Sequence, residues 1–192
     1  MTVSLYRFPL PHIDQLVDNT SGHELLSFMD VFSGYNQIKM DPMDEVHTSF
    51  ITAFGTYCYK VMLFRLKNAG VTFEWMMIEV FKPQIGQNME VYIDDMIAKS
   101  KIAAVHLFNL RETFDKLYFF QMKLNPQKSM FGAVSGKFLG FLVSRRGVEA
   151  NPEKIQTILE MKPPFTVKDV QRLAGRITLL GRFMPKMCRP AC

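Results

Sequence analysis

Apolar positions along this chain repeat with two different periods, and the switches between them mark out its elements. Ile13, Leu16 and Val17 after Pro11 predict a short helix, ended by turn-forming residues around 19–22. Residues 24–32 read as a strand, Ser33-Gly34 as a break, and 35–40 as the start of a helix or turn approaching Asp41-Pro42. Residues 48–54 and 56–62 are β-rich, with Gly55 as the hinge of a hairpin. Phe73, Met76, Met77, Val80 and Phe81 then recur at helical spacing as a core-type stripe. A second hairpin is expected at 92–96, followed by a helix that carries Leu107, Leu110, Phe114 and Leu117 on one face. A later strand is expected at 123–124 or near 128–131, and 137–143 with the turn at Arg145-Arg146-Gly147 reads as another hairpin. Asn151-Pro152-Glu153 offers a cap, an N1 proline and an early acid to one helix. Thr166 and Asp169 open a last helix with Val170, Leu173, Ile177 and Leu180, separated from its predecessor by Pro163-Pro164. The order strand, helix, hairpin, helix, strand is that of a ferredoxin-like split β-α-β unit, so the fold class is α+β.

Composition narrows the picture to a packed globule. Hydrophobic residues at 48% and aromatics at 12% argue against disorder, and 192 residues suffice for one sizeable core rather than two. Fourteen methionines suit an adaptable core. Cys58, Cys188 and Cys192 have neither metal-type nor disulfide-framework spacing, so an intracellular, reducing setting is expected. No signal peptide and no apolar run near transmembrane length is visible, and no membrane partner is expected. The net charge of +5 is concentrated at one end, since residues 161–192 hold seven Lys/Arg against one Asp. Lys162, Lys168, Arg172, Arg176, Arg182, Lys186 and Arg189 can meet nucleic-acid phosphates or form an ordinary solvated helix face.

Candidate chemistry sits in the hairpin. Asp94 and Asp95 lie side by side between Val91-Tyr92-Ile93 and Met96-Ile97, where hairpins normally turn through glycine or asparagine. Two adjacent carboxylates repel, and either they face water at a hairpin tip or something cationic compensates them. The strand at 24–32 carries Asp30 alone in an apolar run, and a buried lone carboxylate is costly unless paired or bound to metal. Isolated acids on distant strands are what a two-metal phosphoryl-transfer site requires, with hard oxygen ligands suited to Mg²⁺.

Six ordered blocks carry a resemblance: Phe8-Pro-Leu-Pro-His-Ile-Asp14, Phe28-Met-Asp-Val-Phe-Ser-Gly-Tyr-Asn-Gln-Ile38, Phe64-Arg-Leu-Lys-Asn-Ala-Gly70, Tyr92-Ile-Asp-Asp95, Leu124-Asn-Pro-Gln-Lys128 and Phe138-Leu-Gly-Phe141. In order and spacing, nearly the whole chain resembles the palm region of a reverse transcriptase from a gypsy-type long-terminal-repeat retrotransposon. The resemblance implies a polymerase palm at 24–147 that includes a primer-grip hairpin, a fingers or entry remnant at 1–23, and the start of a helical thumb or connection at 148–192.

It also implies roles. Asp30, Asp94 and Asp95 become the catalytic, metal-holding carboxylates for two Mg²⁺ ions, with Mn²⁺ as substitute, and Asp30 and Asp94 the direct ligands. Tyr35 takes the position of an aromatic ring beneath the nucleotide sugar, where it selects deoxynucleotides; on the residues alone it reads rather as a core tyrosine with its hydroxyl hydrogen-bonded. Phe64 and Arg65 fall in the segment around the incoming nucleotide, where relatives usually read Pro-Phe-Gly-Leu and this chain has Leu63-Phe64-Arg65-Leu66. Glycine there commonly permits positive φ or close approach, so Arg65 is expected to weaken nucleotide or template binding. Lys128 matches a proton donor to departing pyrophosphate, or is a surface lysine. Phe138, Leu139, Gly140 and Phe141 match the primer grip, and Lys168, Arg172 and Arg176 are the expected phosphate contacts. Implied partners are an RNA or DNA template-primer, dNTPs and the remaining Pol domains: fingers, RNase H and integrase. Relatives carry fingers ahead of the Phe-Pro-Leu-Pro block, so a fragment with truncated fingers is expected. Its setting is a cytoplasmic virus-like particle or the nucleus. The alternative is an inactive retroelement remnant that at most binds nucleic acid.

Overall fold

A computed structural model describes residues 12–178 and 180–183; the start of the Phe-Pro-Leu-Pro block, and Lys186 and Arg189, lie outside the described residues. Its centre is an antiparallel sheet in the order β4-β5-β1-β6, formed by β1 (Leu25–Asp30), β4 (Met89–Tyr92), β5 (Asp95–Ser100) and β6 (Met130–Ala133). Helix α3 (Ala69–Phe81) joins β1 to β4 and α4 (His106–Phe119) joins β5 to β6, which is the split β-α-β order.

Alternation along the strands divides the molecule into two cores. Met29 of β1 and Met96 and Ala98 of β5 face the helices and pack with Phe73, Met77, Leu110 and Leu117. Leu26 and Ile97 face the other way and pack with Leu16 and Val17 of α1 (Ile13–Thr20) and with Phe138 and Val143. Those last two belong to a three-stranded meander of β7 (Ser135–Phe138), β8 (Phe141–Ser144) and β9 (Gly147–Ala150). Glu90 and Lys99 also lie on this face, 1% and 2% exposed, and pair at 2.6 Å. Lys99 additionally donates to the Asn19 carbonyl at 2.8 Å, which pins α1 to the sheet.

Several local expectations change. The run at 137–143 is not one strand, because Leu139 and Gly140 take φ of +48° and +86° and turn the chain inside it. The stripe of α4 is rotated: His106, Leu110, Thr113 and Leu117 are buried, while Leu107 is 79% exposed and Phe114 half-exposed. Polar partners decide this, since Ser27 and Ser100 each lie 2.8 Å from a ring nitrogen of His106 and draw that side of the helix inward. The β-rich runs around Gly55 pair over only three residues each, as β2 (Phe50–Thr52) and β3 (Gly55–Tyr57). Their side chains are mostly exposed, and among the described residues the two form a sheet by themselves. Where a helix start or turn was expected at 35–40, a short 3₁₀ turn (Gly34–Gln37) is followed by α2 (Pro42–Glu45), which Asp41 caps by accepting from Met43 N–H at 2.9 Å. Of the two places expected for the last sheet strand, 123–124 contributes only a Val31–Leu124 bridge, and β6 pairs with β1.

The C-terminal helices start as their caps predict. Asn151 accepts from Glu153 N–H at 3.0 Å to open α5 (Pro152–Leu159). Thr166 and Asp169 bond reciprocally to open α6 (Val167–Thr178), with the two side chains 2.7 Å apart. Among the described residues no helix is long and apolar enough to cross a membrane.

Candidate active site

Asp30 ends β1 and Asp95 begins β5, and the two are ladder partners across the pair. Like charges directly opposite are unfavourable in a sheet, so folding alone does not account for this pair. Asp94 precedes Asp95 in the two-residue turn Ile93-Asp94. Only Ile93 of the two takes positive φ, +53°, a conformation that glycine usually supplies and a β-branched residue resists. Glu74 of α3, 0% exposed, holds that turn by accepting the Ile93 N–H at Oε2. Burial pushes the Glu74 carboxyl up, and its Oε1 has no hydrogen-bond partner.

The carboxylates feel one another. Burial, then Asp30 and Asp95, push the Asp94 carboxyl above its ordinary value, with Lys128 opposing. Asp95 is raised by desolvation and then by Asp30, again against Lys128, although the residue is solvent-exposed. Lys128 stands 3.7 Å from Asp30 and keeps most of its own surface in water. The loop that carries it is tied to the same strand end, because Asn125 N–H donates to the Asp30 carbonyl at 2.8 Å.

Asp30, Asp95, Lys128, Lys137 and Phe138 line a cleft of about 120 Å³ between the sheet and the β7–β8 hairpin. Asp94 lies around the turn, toward α3. Its Oδ1 is buried without a hydrogen-bond partner, and a Cβ on Gly34 would come within 3.1 Å of it and 2.8 Å of the Phe73 ring. Gly34 is therefore the residue that lets the strand end, the ring and the carboxyl meet. Tyr35, buried in the helix-side core, packs edge-on to Phe64 at 4.7 Å and against Phe73 at 5.2 Å. Its hydroxyl is pushed up by burial, then by Asp94 and Glu74.

The donor set suits a hard divalent cation in kind, with carboxylate oxygens in mutual repulsion and one of them buried and unsatisfied. In spacing it is incomplete: no group of three or more His, Cys, Asp or Glu among the described residues is arranged to hold a metal ion. Such a set fits a site that phosphate oxygens of a bound substrate complete.

The other expected site residues are distributed as follows. Phe138 is buried in the meander-side core, with Leu139 and Phe141 packed against it and Gly140 in the turn between them. Lys168, Arg172 and Arg176 lie on α6, and none of them lines the cleft of Asp30 and Asp95. Arg172 and Arg176 line a separate cleft of about 360 Å³ with Lys162, Phe165 and Asp169. Arg176 donates to the Thr157 carbonyl at 2.9 Å and ties α6 to α5. Arg182 is turned inward rather than toward a ligand, paired with Asp14 and Asp18 of α1. Nothing in the periodicity singles out Glu74, an acid inside an apolar helix; the signal it does give is the cost of burying a charge.

Arg65 is exposed and takes φ of +80°. A left-handed conformation costs an L-residue roughly 1–2 kcal/mol, against the ~0.4–1 kcal/mol of unfolded-state entropy that a glycine adds. Arg65→Gly is therefore expected to stabilise the fold by about 0.5–1 kcal/mol, read as a higher urea midpoint at unchanged m-value. A lower midpoint would mean that the arginine makes compensating contacts.

A family model described as reverse transcriptase (RNA-dependent DNA polymerase) matches residues 1–143. The retrovirus-related Pol polyprotein from transposon opus of Drosophila melanogaster is 32% identical over 184 residues, 96% of this chain and 18% of that polyprotein. Its counterpart from transposon gypsy of the same organism is 31% identical over 169 residues, 88% of this chain and 16% of that polyprotein. The chain thus spans less than a fifth of these curated relatives. A foamy viral protease-reverse transcriptase in complex with double-stranded DNA superimposes with a TM-score of 0.83 at 20% identity, covering 93% of this chain and 37% of that one. A foamy viral protease-reverse transcriptase in complex with an RNA/DNA hybrid gives 0.78 at 20% identity, covering 89% and 23%. At that identity they share the fold.

Proposed function

The chain belongs to the reverse transcriptase family, among the Pol polyproteins of retrotransposons, and from that premise we propose that it is the palm of an RNA-directed DNA polymerase, transferring a nucleotidyl group from a dNTP to a primer 3′-hydroxyl. One observation carries the reading: Asp30 and Asp95 face each other across the ladder, with Asp94 held at the adjoining turn in mutual repulsion with both.

Residues 24–147 form the palm and its primer grip, 148–192 begin a thumb or connection, and 1–23 belong to the entry to the fingers. Asp30, Asp94 and Asp95 would hold two Mg²⁺ ions, or Mn²⁺, which when bound supply charge neutralisation to the triphosphate and acidify the attacking hydroxyl. The chain's own residues do the rest. Lys128, loosely paired to Asp30 and mostly in water, is free to give a proton to departing pyrophosphate. The exposed Phe64 ring, propped on Tyr35, offers an apolar surface to the nucleotide. Tyr35, fixed by its two ring contacts, stands as a rigid wall against a 2′-hydroxyl. The remaining domains of such a polyprotein are its natural partners, and RNA or DNA template-primer its substrate.

The test is primer extension by the full chain on an RNA template with Mg²⁺ or Mn²⁺, each dNTP supplied singly. Only the complementary nucleotide should be added; no template-directed addition overturns the reading in favour of a remnant that at most binds nucleic acid. In the same assay, Tyr35→Val should raise ribonucleotide use relative to deoxynucleotide by about tenfold or more, the scale of a steric pocket effect. An unchanged sugar preference removes the gate.

A further inference from the structure

We infer that Gln37 is a positioning residue for Lys128, because its side-chain amide completes the short backbone ladder from which the Lys128 loop hangs. Its role rests on the polymerase reading above, in which Lys128 gives a proton to departing pyrophosphate.

At the end of β1, residues 30–32 run antiparallel to residues 123–125. Val31 bridges Leu124, Asn125 N–H donates to the Asp30 carbonyl at 2.8 Å, and Phe32 N–H donates to the Lys123 carbonyl at 2.9 Å. In a regular ladder Phe32 and Lys123 would exchange both bonds, the second running from Lys123 N–H back to the Phe32 carbonyl. Here Gln37 takes that place. Ser33 adopts a left-handed φ of +48° and swings the chain into the 3₁₀ turn Gly34–Gln37, which returns the Gln37 side chain to the end of the ladder. Its Oε1 accepts Lys123 N–H at 2.7 Å, and its Nε2 donates to the Phe32 carbonyl and, at 3.0 Å, to the Lys123 carbonyl. Only one orientation of the amide serves all three, since the flipped group would set an oxygen against two carbonyls.

The ladder is what places Lys128. The Asn125 carbonyl gathers the loop, accepting from Lys128 N–H at 3.3 Å, Ser129 N–H at 3.0 Å and the Ser129 hydroxyl at 2.7 Å. Ser129 Oγ in turn accepts Asp30 N–H at 3.3 Å. The Lys128 ammonium itself has a loose pair to Asp30 at 3.7 Å and a side chain mostly in water, so the backbone of the loop sets where it stands. Gln37 therefore fixes that loop against the turn that carries Tyr35, at the ladder end farther from the ammonium. A reacting group displaced by about 1 Å loses on the order of a hundredfold in rate, so such an amide acts on the chemistry without touching substrate.

The test is single-nucleotide primer extension by the full chain on an RNA template, with kcat and the dNTP KM measured for wild type, Gln37→Met, Gln37→Glu and each of these combined with Lys128→Ala. Gln37→Met keeps the length of the side chain and removes its three hydrogen bonds. Gln37→Glu keeps the acceptor for Lys123 N–H but turns a second oxygen on the two carbonyls, and it carries the test if the methionine variant does not fold. Each should lower kcat by about tenfold to a hundredfold while KM stays within about threefold. Beneath Lys128→Ala, whose own loss should be about a hundredfold or more, the same substitutions should cost less than about twofold further. General loosening of the palm would not show that coupling. A kcat within about twofold of wild type, a raised KM in its place, the full loss again beneath Lys128→Ala, or unfolding of both variants overturns the assignment while the polymerase reading stands. A wild type that adds no templated nucleotide overturns both.

Discussion

Asp94→Asn should cut template-directed extension by on the order of a thousandfold or more, and it should do so without unfolding the protein. The side chain it replaces is nearly isosteric, with its Oδ1 buried and close beside Gly34 at the end of the hairpin. What the amide lacks is charge. Stabilising charge in phosphoryl transfer supplies several kcal/mol, and each ~1.4 kcal/mol is tenfold in rate. The stability effect runs the other way. Burial, Asp30 and Asp95 raise the Asp94 carboxyl above its ordinary value. A group raised in the folded state contributes stability below its unfolded value and loses it as pH rises through the folded one. Once ionised, Asp94 therefore burdens the fold, and the asparagine variant should have an equal or higher urea midpoint, with the gap widening as pH rises through the titration of Asp94. Loss of activity together with retained or increased stability marks a carboxylate kept for chemistry. Equal extension by wild type and variant would remove the enzymatic reading, and a variant that unfolds would make Asp94 a structural residue.

The parts of this fold that the sequence made legible are those whose signal is local. The caps at Asn151 and at Thr166–Asp169 lie within four residues of what they control, and both helices start there. The stripe on α3 is likewise readable, because Phe73, Met77, Val80 and Phe81 all pack into one apolar core. What was illegible depends on partners far along the chain. α4 turns His106 and Thr113 inward and leaves Leu107 outside because Ser27, 79 residues away, waits on β1 for the imidazole. The extent of β2 and β3 was overread since β propensity specifies a pleated surface, and here its side chains stay mostly exposed among the described residues. The site divides in the same way. Asp30, Asp94 and Asp95 announce themselves as acids in apolar runs, and the register brings Asp30 to Asp95. Glu74 is also an acid in an apolar run, but its role is not legible there, because its partner is a backbone N–H on a hairpin that forms 19 residues later.

Glu74 is where the second large effect is expected. Ile93 holds a positive φ that its branched Cβ opposes, and such backbone persists only while its surroundings enforce it. Within reach of that amide is the Glu74 carboxylate, buried in α3 and bonded to the Ile93 N–H. Glu74→Leu keeps bulk and removes the acceptor, so the turn is free to relax and carry Asp94 with it. A displacement of about 1 Å in a reacting group costs on the order of a hundredfold, and kcat for extension should fall by about that much while duplex affinity stays within a few fold. Glu74→Gln keeps a carbonyl at the same place to accept the N–H and should remain within several-fold of wild type. The contrast separates positioning from simple packing. A packing role predicts that leucine, which fills the space and removes a buried carboxyl with an unsatisfied oxygen, is tolerated at least as well as glutamine. A positioning role predicts the reverse order in kcat with little difference in urea midpoint. Wild-type kcat in the leucine variant, or equal damage from glutamine, would leave the strained turn to be held by something other than Glu74.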